Sequence, residues 1–137
     1  MKIVYDTKLM QWMTLFENLS SVRLKDAFLR NSGVNFIVEK GNLFKAVGKN
    51  GATVKKIENL IKKKIRVIEF NDDICKFVDH FIYPIKVEKI EFEDRILKIY
   101  VHGAGTKGLL IGRESKNLKE LKEILSRYFD IIEIKIM

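Results

Sequence analysis

Apolar and polar positions alternate in two rhythms along this chain, and the changes of rhythm outline its elements. Leu9, Trp12, Met13, Phe16 and Leu19 recur at the spacing of a helix with one buried face, over roughly 8–19. Thr7 or Asp6 can cap that helix. Residues 21–29 (SVRLKDAFL) and 34–40 (VNFIVEK) are dense in apolar and β-branched positions and read as strands. A short helical piece, NLFKAVG, leads into the glycine turn VGKNG. A helix of about three turns follows, with Val54, Ile57, Leu60 and Ile61 on its buried face. A strand with Ile65, Val67, Ile68 and Phe70 comes next. Asn71-Asp72-Asp73 then opens another helix, its carboxylates favourably placed at the positive end of the dipole. The single proline, Pro84, marks a change to an alternating pattern, with strands over 85–93 and 96–102.

The pattern repeats. With 47 set on 111, VGKNGATVKKIENLIKKKIRVIEF (47–70) and IGRESKNLKELKEILSRYFDIIEI (111–134) align without a gap. Gly48 meets Gly112. Val54, Ile57, Leu60 and Ile61 meet Leu118, Leu121, Ile124 and Leu125, and Ile65, Val67, Ile68 and Phe70 meet Phe129, Ile131, Ile132 and Ile134. Each half therefore reads α-β-β-α-α-β. The expected fold class is α+β, with two domains, each a small three-stranded sheet carrying helices on one face. The boundary is placed at Pro84, giving 1–84 and 85–137, with helix 72–83 either shared or opening the second domain. So short a joint implies two modules packed rigidly together.

Composition narrows the function. At 47% apolar residues the chain can build a core. No apolar stretch approaches the ~20 residues that span a bilayer, and MKIVYDTKLMQW lacks the apolar centre of a signal peptide. A cytoplasmic protein with no membrane partner is expected. One cysteine, Cys75, excludes an internal disulfide and a multi-cysteine metal site, and it reads as a small core filler. The net charge is +8, and residues 40–66 carry all of it: nine cations against Glu58 alone, so the remainder sums to zero. A basic patch centred on VGKNG suits a polyanion, nucleic acid or membrane surface; a solvated lysine face is the plain alternative.

The glycine turn is the sharpest candidate. The helix behind it begins with amide groups that have no partner inside the helix, where the dipole is positive, so a phosphate can sit there. Gly48 and Gly51 would let a sugar-phosphate backbone approach, Lys49 adds charge, and Asn50 adds a donor that tolerates turn geometry. Taken alone, the same residues serve equally as a C-cap glycine followed by an N-cap glycine. No aromatic residue presents itself as a stacking platform. GAGTKG (103–108) matches a dinucleotide fingerprint, but a single such unit with Glu133 inside the last strand argues against it. VGKNG lacks the hydroxyl residue of a Walker loop. His80 and His102 stand alone, no catalytic constellation is evident, and neither an enzyme nor a cofactor is expected.

The order of elements, the V/I-G-x-x-G turn between two helices and the tandem copy resemble KH domains of type II topology. The whole chain resembles the archaeal NusA-like transcription factors, most closely in VGKNGATVKKIENL and VIEFNDDICKFVDHFIYPIKV. The resemblance implies single-stranded RNA as partner, with about four nucleotides per module held by the loop and an apolar groove. It implies a role in transcription elongation or termination, through nascent RNA. RNA polymerase is a second candidate partner, and a monomer is the favoured state. Gly48, Lys49, Asn50 and Gly51 match the first loop, with Val54 lining the groove and Lys55 and Lys56 flanking the backbone. Ile57 is expected in the core. Gly112, Arg113, Glu114 and Ser115 occupy the second loop, with Lys116 behind it. That loop departs twice: Ser115 replaces a glycine, its hydroxyl still able to cap the helix, and Glu114 sets a negative charge beside the expected phosphate. Rival readings are a ribosome-associated or ribosome-assembly factor, a protein-interaction scaffold for RNA polymerase, and a nucleotide-dependent enzyme.

Overall fold

The structure, a computed structural model, describes residues 6–137. The chain divides between Asn71 and Asp72 into two compact units. The helix before Pro84 thus goes with the second.

The first unit runs α1 (Thr7–Ser20), β1 (Leu24–Arg30), β2 (Gly33–Val38), α2 (Leu43–Val47), α3 (Ala52–Ile61) and β3 (Ile65–Glu69). Asp6 caps α1, its Oδ1 accepting from the Leu9 N–H at 2.8 Å. Ser21 closes α1 in the left-handed conformation, so β1 starts later than the apolar pattern suggests. Asn31 and Ser32, both at positive φ, make the tight turn that returns β1 onto β2. β2 is central, antiparallel to β1 and parallel to β3. The helices cover one face: Leu9, Trp12 and Phe16 of α1, Ala46 of α2 and Ile57 of α3 form one core with Ala27, Val34, Phe36 and Val38. Phe16 and Phe36 meet at 4.4 Å between centroids. Burying each contributes roughly 2–3 kcal/mol. Glu58 Oε2 accepts from the Ile65 N–H at 2.9 Å and so pins the end of α3 to the start of β3.

The second unit repeats the order: α4 (Ile74–Ile82), β4 (Lys89–Glu93), β5 (Ile96–Tyr100), α5 (Ala104–Ile111), α6 (Lys116–Tyr128) and β6 (Glu133–Ile136). Asp73 caps α4 through the Cys75 N–H at 2.9 Å. Asp94 and Arg95, again both at positive φ, turn β4 into β5. β5 is central, antiparallel to β4 and parallel to β6.

Three expectations are corrected here. The strand placed over 85–93 begins only at Lys89, because Ile85 is still held to the Ile82 carbonyl in the turn after α4. The gapless repeat fails beyond the helix. α6 has 13 residues against 10 in α3, so β6 starts at Glu133 where the alignment places it at Phe129. Phe129 instead packs its ring 6.1 Å from Phe77, which also meets Tyr128 edge-on at 6.1 Å. The equated helix faces differ as well: Ile124 is fully buried, but Leu60 is 57% exposed.

Candidate functional site

α2 ends at Gly48, whose N–H donates to the Phe44 carbonyl at 3.0 Å. One 3-10 turn, Lys49–Gly51, then leads into α3. The backbone runs through Gly48 (φ 83°, ψ 165°), Asn50 (55°, 28°) and Gly51 (73°, 18°). Three positive φ values in four residues favour glycine and asparagine. The turn closes on itself: the Gly51 N–H donates to the Gly48 carbonyl at 3.0 Å, and the Ala52 N–H to that of Lys49. The N–H groups of Lys49 and Asn50 make no backbone hydrogen bond among the described residues. They are available where the α3 dipole is positive.

The surroundings of the two glycines differ. A Cβ on Gly48 would lie 2.5 Å from Thr53 Oγ1 and 2.8 Å from the Thr53 amide nitrogen, so Gly48 is demanded by packing inside the turn. A Cβ on Gly51 would meet only Lys55 Cε, at 3.9 Å. That side of the turn is open, and the Lys55 stem lies beside it.

The second loop has nearly the same backbone: Gly112 (76°, 172°), Glu114 (55°, 31°) and Ser115 (62°, 23°). A Cβ on Gly112 would lie 2.7 Å from the Asn117 carboxamide, whose Nδ2 donates to the Leu109 carbonyl at 2.9 Å and ties the turn to the end of α5. Ser115 adopts the left-handed conformation that Gly51 holds, and its hydroxyl makes no cap hydrogen bond. The expected serine cap is therefore not formed.

Charge separates the loops. Lys45, Lys49, Lys55 and Lys56 are exposed around the first, and Val54 is half-buried on α3 while Ile57 is core, as expected. Lys62, Lys63 and Lys64 lie at the opposite end of α3, where Lys63 Nζ packs 5.9 Å from the centre of the Trp12 ring. Arg66 sits on β3, its pKa lowered by burial and then by neighbouring Arg30. The patch legible in the sequence is thus two groups of cations, and only the first borders the turn. Around the second loop Arg113 and Lys116 are exposed, but Glu114 stands at the Asn50 position and Glu120 at that of Lys56. Glu120 is 1% exposed, with Lys116 Nζ 4.0 Å from its Oε1. Residues 104–130 hold six cations against four acids, net +2, where 40–66 reach +8.

One feature escaped the sequence pattern. Phe44, on α2 one turn before Gly48, is 80% exposed, so the short helix that leads into the first loop carries an exposed aromatic ring. In so short a helix only Ala46 is buried, and the apolar LF pair is left facing outward. Cys75 is half-buried rather than core; burial first, then Asp73 and Glu91, raise its pKa. His102 is exposed, 3.3 Å from Glu88. GAGTKG caps and opens α5, in a unit whose sheet has one parallel pair. Among the described residues no group of His, Cys, Asp and Glu is placed to hold a metal, and no helix is long and apolar enough to cross a membrane.

No protein-family model matches the chain. Homologues in several archaea carry the name probable transcription termination protein NusA. That of Methanocaldococcus jannaschii is 29% identical over 140 residues, covering 99% of this chain and 76% of that protein. That of Thermoplasma acidophilum is 27% identical, covering 98% and 96%; that of Halococcus morrhuae is 24% identical, covering 99% of each. Among solved structures, the crystal structure of APE1850 has the same fold, with a TM-score of 0.70 at 22% identity over 97% of this chain and all of that one.

Proposed function

We propose that this homologue of archaeal proteins named NusA is a non-catalytic RNA-binding protein of two type II KH modules, acting in transcription on single-stranded, nascent RNA. The observation that carries the reading is the first glycine turn. Its Lys49 and Asn50 amides are unspent at the positive end of α3, its open side lies at Gly51, and exposed lysines surround it. The lysines draw the strand in, a backbone phosphate accepts from the turn amides, and bases lie along the α3 side near Val54. Lys55 and Lys56 flank the phosphates. The second loop, with Gly112, Arg113, Glu114, Ser115 and Lys116, has the backbone for the same contact and less of the charge, so it contributes less. RNA polymerase is the second partner in this reading, which rests on the resemblance to NusA-like transcription factors.

Fluorescence anisotropy with a labelled single strand of about a dozen nucleotides tests this, at low and near-physiological salt and against duplex competitor. Native protein should bind the single strand, and Lys49→Asp/Asn50→Asp should not. Aspartate tolerates the left-handed conformation of Asn50, so the turn itself should survive. Equal binding by the two proteins would reduce the glycines to a turn.

A further inference from the structure

An 80% exposed phenylalanine is out of place on a surface where it covers nothing, and Phe44 is the most exposed large apolar side chain among those described. Its position is specific. The Gly48 N–H donates to its carbonyl, so Phe44 and the first residue of the glycine turn are one helical turn apart on the same side of α2. Four residues of helix rise about 6 Å along the axis. From Lys40 to Ile57 the sequence contains no acid, and Lys45 and Lys49 flank the ring in sequence. The carboxylates that come near this segment are engaged: Glu69 Oε2 accepts from the Gly41 N–H at 2.7 Å, and Glu39 lies 3.5 Å from Lys25 Nζ.

We propose that Phe44 is a stacking platform for an unpaired nucleobase of the strand whose phosphate sits on the Lys49–Gly51 turn. The inference rests on the RNA-binding reading and adds a second kind of contact to it. A phosphate on the turn amides fixes the backbone, and the neighbouring base can then lie flat on the phenyl ring. Every base has a π-face, so the contact strengthens binding without choosing a sequence. The cationic surroundings favour an anionic strand over a protein partner, for which a wider apolar patch would be expected; on α2 only Leu43 is exposed and apolar besides Phe44. The second unit lacks the device, because Gly108 stands where the repeat places Phe44. The first unit is therefore the one that grips bases as well as phosphates.

The test compares native protein, Phe44→Ala, Phe44→Trp and Lys49→Asp, with a single-stranded oligoribonucleotide and with the same oligomer carrying abasic sites. Phe44→Ala should weaken binding about tenfold. It should leave the slope of log K against log salt unchanged, since no phosphate contact is lost, and it should bind the abasic strand as native protein does. Phe44→Trp should bind normally, with a fluorescence quenched by the strand. Native protein, whose only tryptophan is the 9% exposed Trp12, should show no such quenching. Lys49→Asp should reduce the slope. If native protein binds and Lys49→Asp weakens it, but Phe44→Ala binds like native, the stacking inference falls and the RNA-binding reading stands. It falls equally if Phe44→Ala keeps its RNA affinity and instead loses binding to purified RNA polymerase. If native protein binds no single strand, both fall.

Discussion

Gly48 lies so close to Thr53 that a Cβ on the glycine would stand 2.5 Å from the threonine hydroxyl and 2.8 Å from its amide nitrogen. The amide belongs to the first turn of α3, so trimming Thr53 cannot make room. Gly48→Ala should therefore lose about 2–4 kcal/mol from the clash and the positive φ together. Gly51→Ala faces open space and carries only the left-handed cost of about 1 kcal/mol. Urea unfolding measures both, and a Gly48→Ala midpoint no lower than that of Gly51→Ala would contradict the geometry. Thr53→Ala in the Gly48→Ala background should give little rescue.

The near-identity of the two loop backbones predicts a gain of function. Gly112, Glu114 and Ser115 hold the dihedrals of Gly48, Asn50 and Gly51, and only the side chains differ. Glu114→Asn/Ser115→Gly should remove the charge that repels a phosphate and the side chain on its approach. Affinity for single-stranded RNA should rise several-fold, and the salt dependence should steepen by about 0.7 in the log–log slope, one more phosphate contact. An unchanged affinity and slope would mean that the second loop is set aside from RNA for reasons other than its sequence.

Much of this molecule was legible because its signals are local. The α1 stripe, the Asp73 start of α4, the glycine turns and the order α-β-β-α-α-β all follow from spacing and from residues with fixed conformational habits. The misreadings share one cause: they depended on what a residue meets in space. Leu60 and Ile124 occupy matching positions in a perfect apolar spacing, yet only Ile124 is covered. The three extra residues of α6 extend the helix to Tyr128, and Phe129 packs on Phe77 instead of opening a strand. Ser115 has a capping side chain but a left-handed backbone that aims it elsewhere. Phe44 read as one more apolar residue because nothing in a five-residue helix announces its outward face.

That contrast has its own measurement. Ile124→Ala opens a cavity in a closed core and should cost about 2–5 kcal/mol. Leu60→Ala, at 57% exposure, should stay within about 0.5 kcal/mol of native. Comparable losses at the two positions would mean that Leu60 is covered in solution.

Cys75 offers a check on the electrostatics of the second unit. Its thiol sits half-buried near the start of α4, where burial first, then the carboxylates of Asp73 and Glu91, disfavour the thiolate and raise its pKa. The thiolate is the species that alkylates. The rate of iodoacetamide labelling should therefore rise at higher pH in native protein than in urea-unfolded chains, whose thiol ionises near about 8.5. Stability follows with a definite sign: the folded state holds this proton more tightly. The contribution is intact below about pH 8.5 and is lost as pH climbs from there through the native value. Asp73→Asn, which keeps a capping acceptor, and Glu91→Gln should each move the native profile part of the way down, leaving the larger share due to burial in place. A native profile at or below the unfolded one would show that α4 does not hold Cys75 in the environment described.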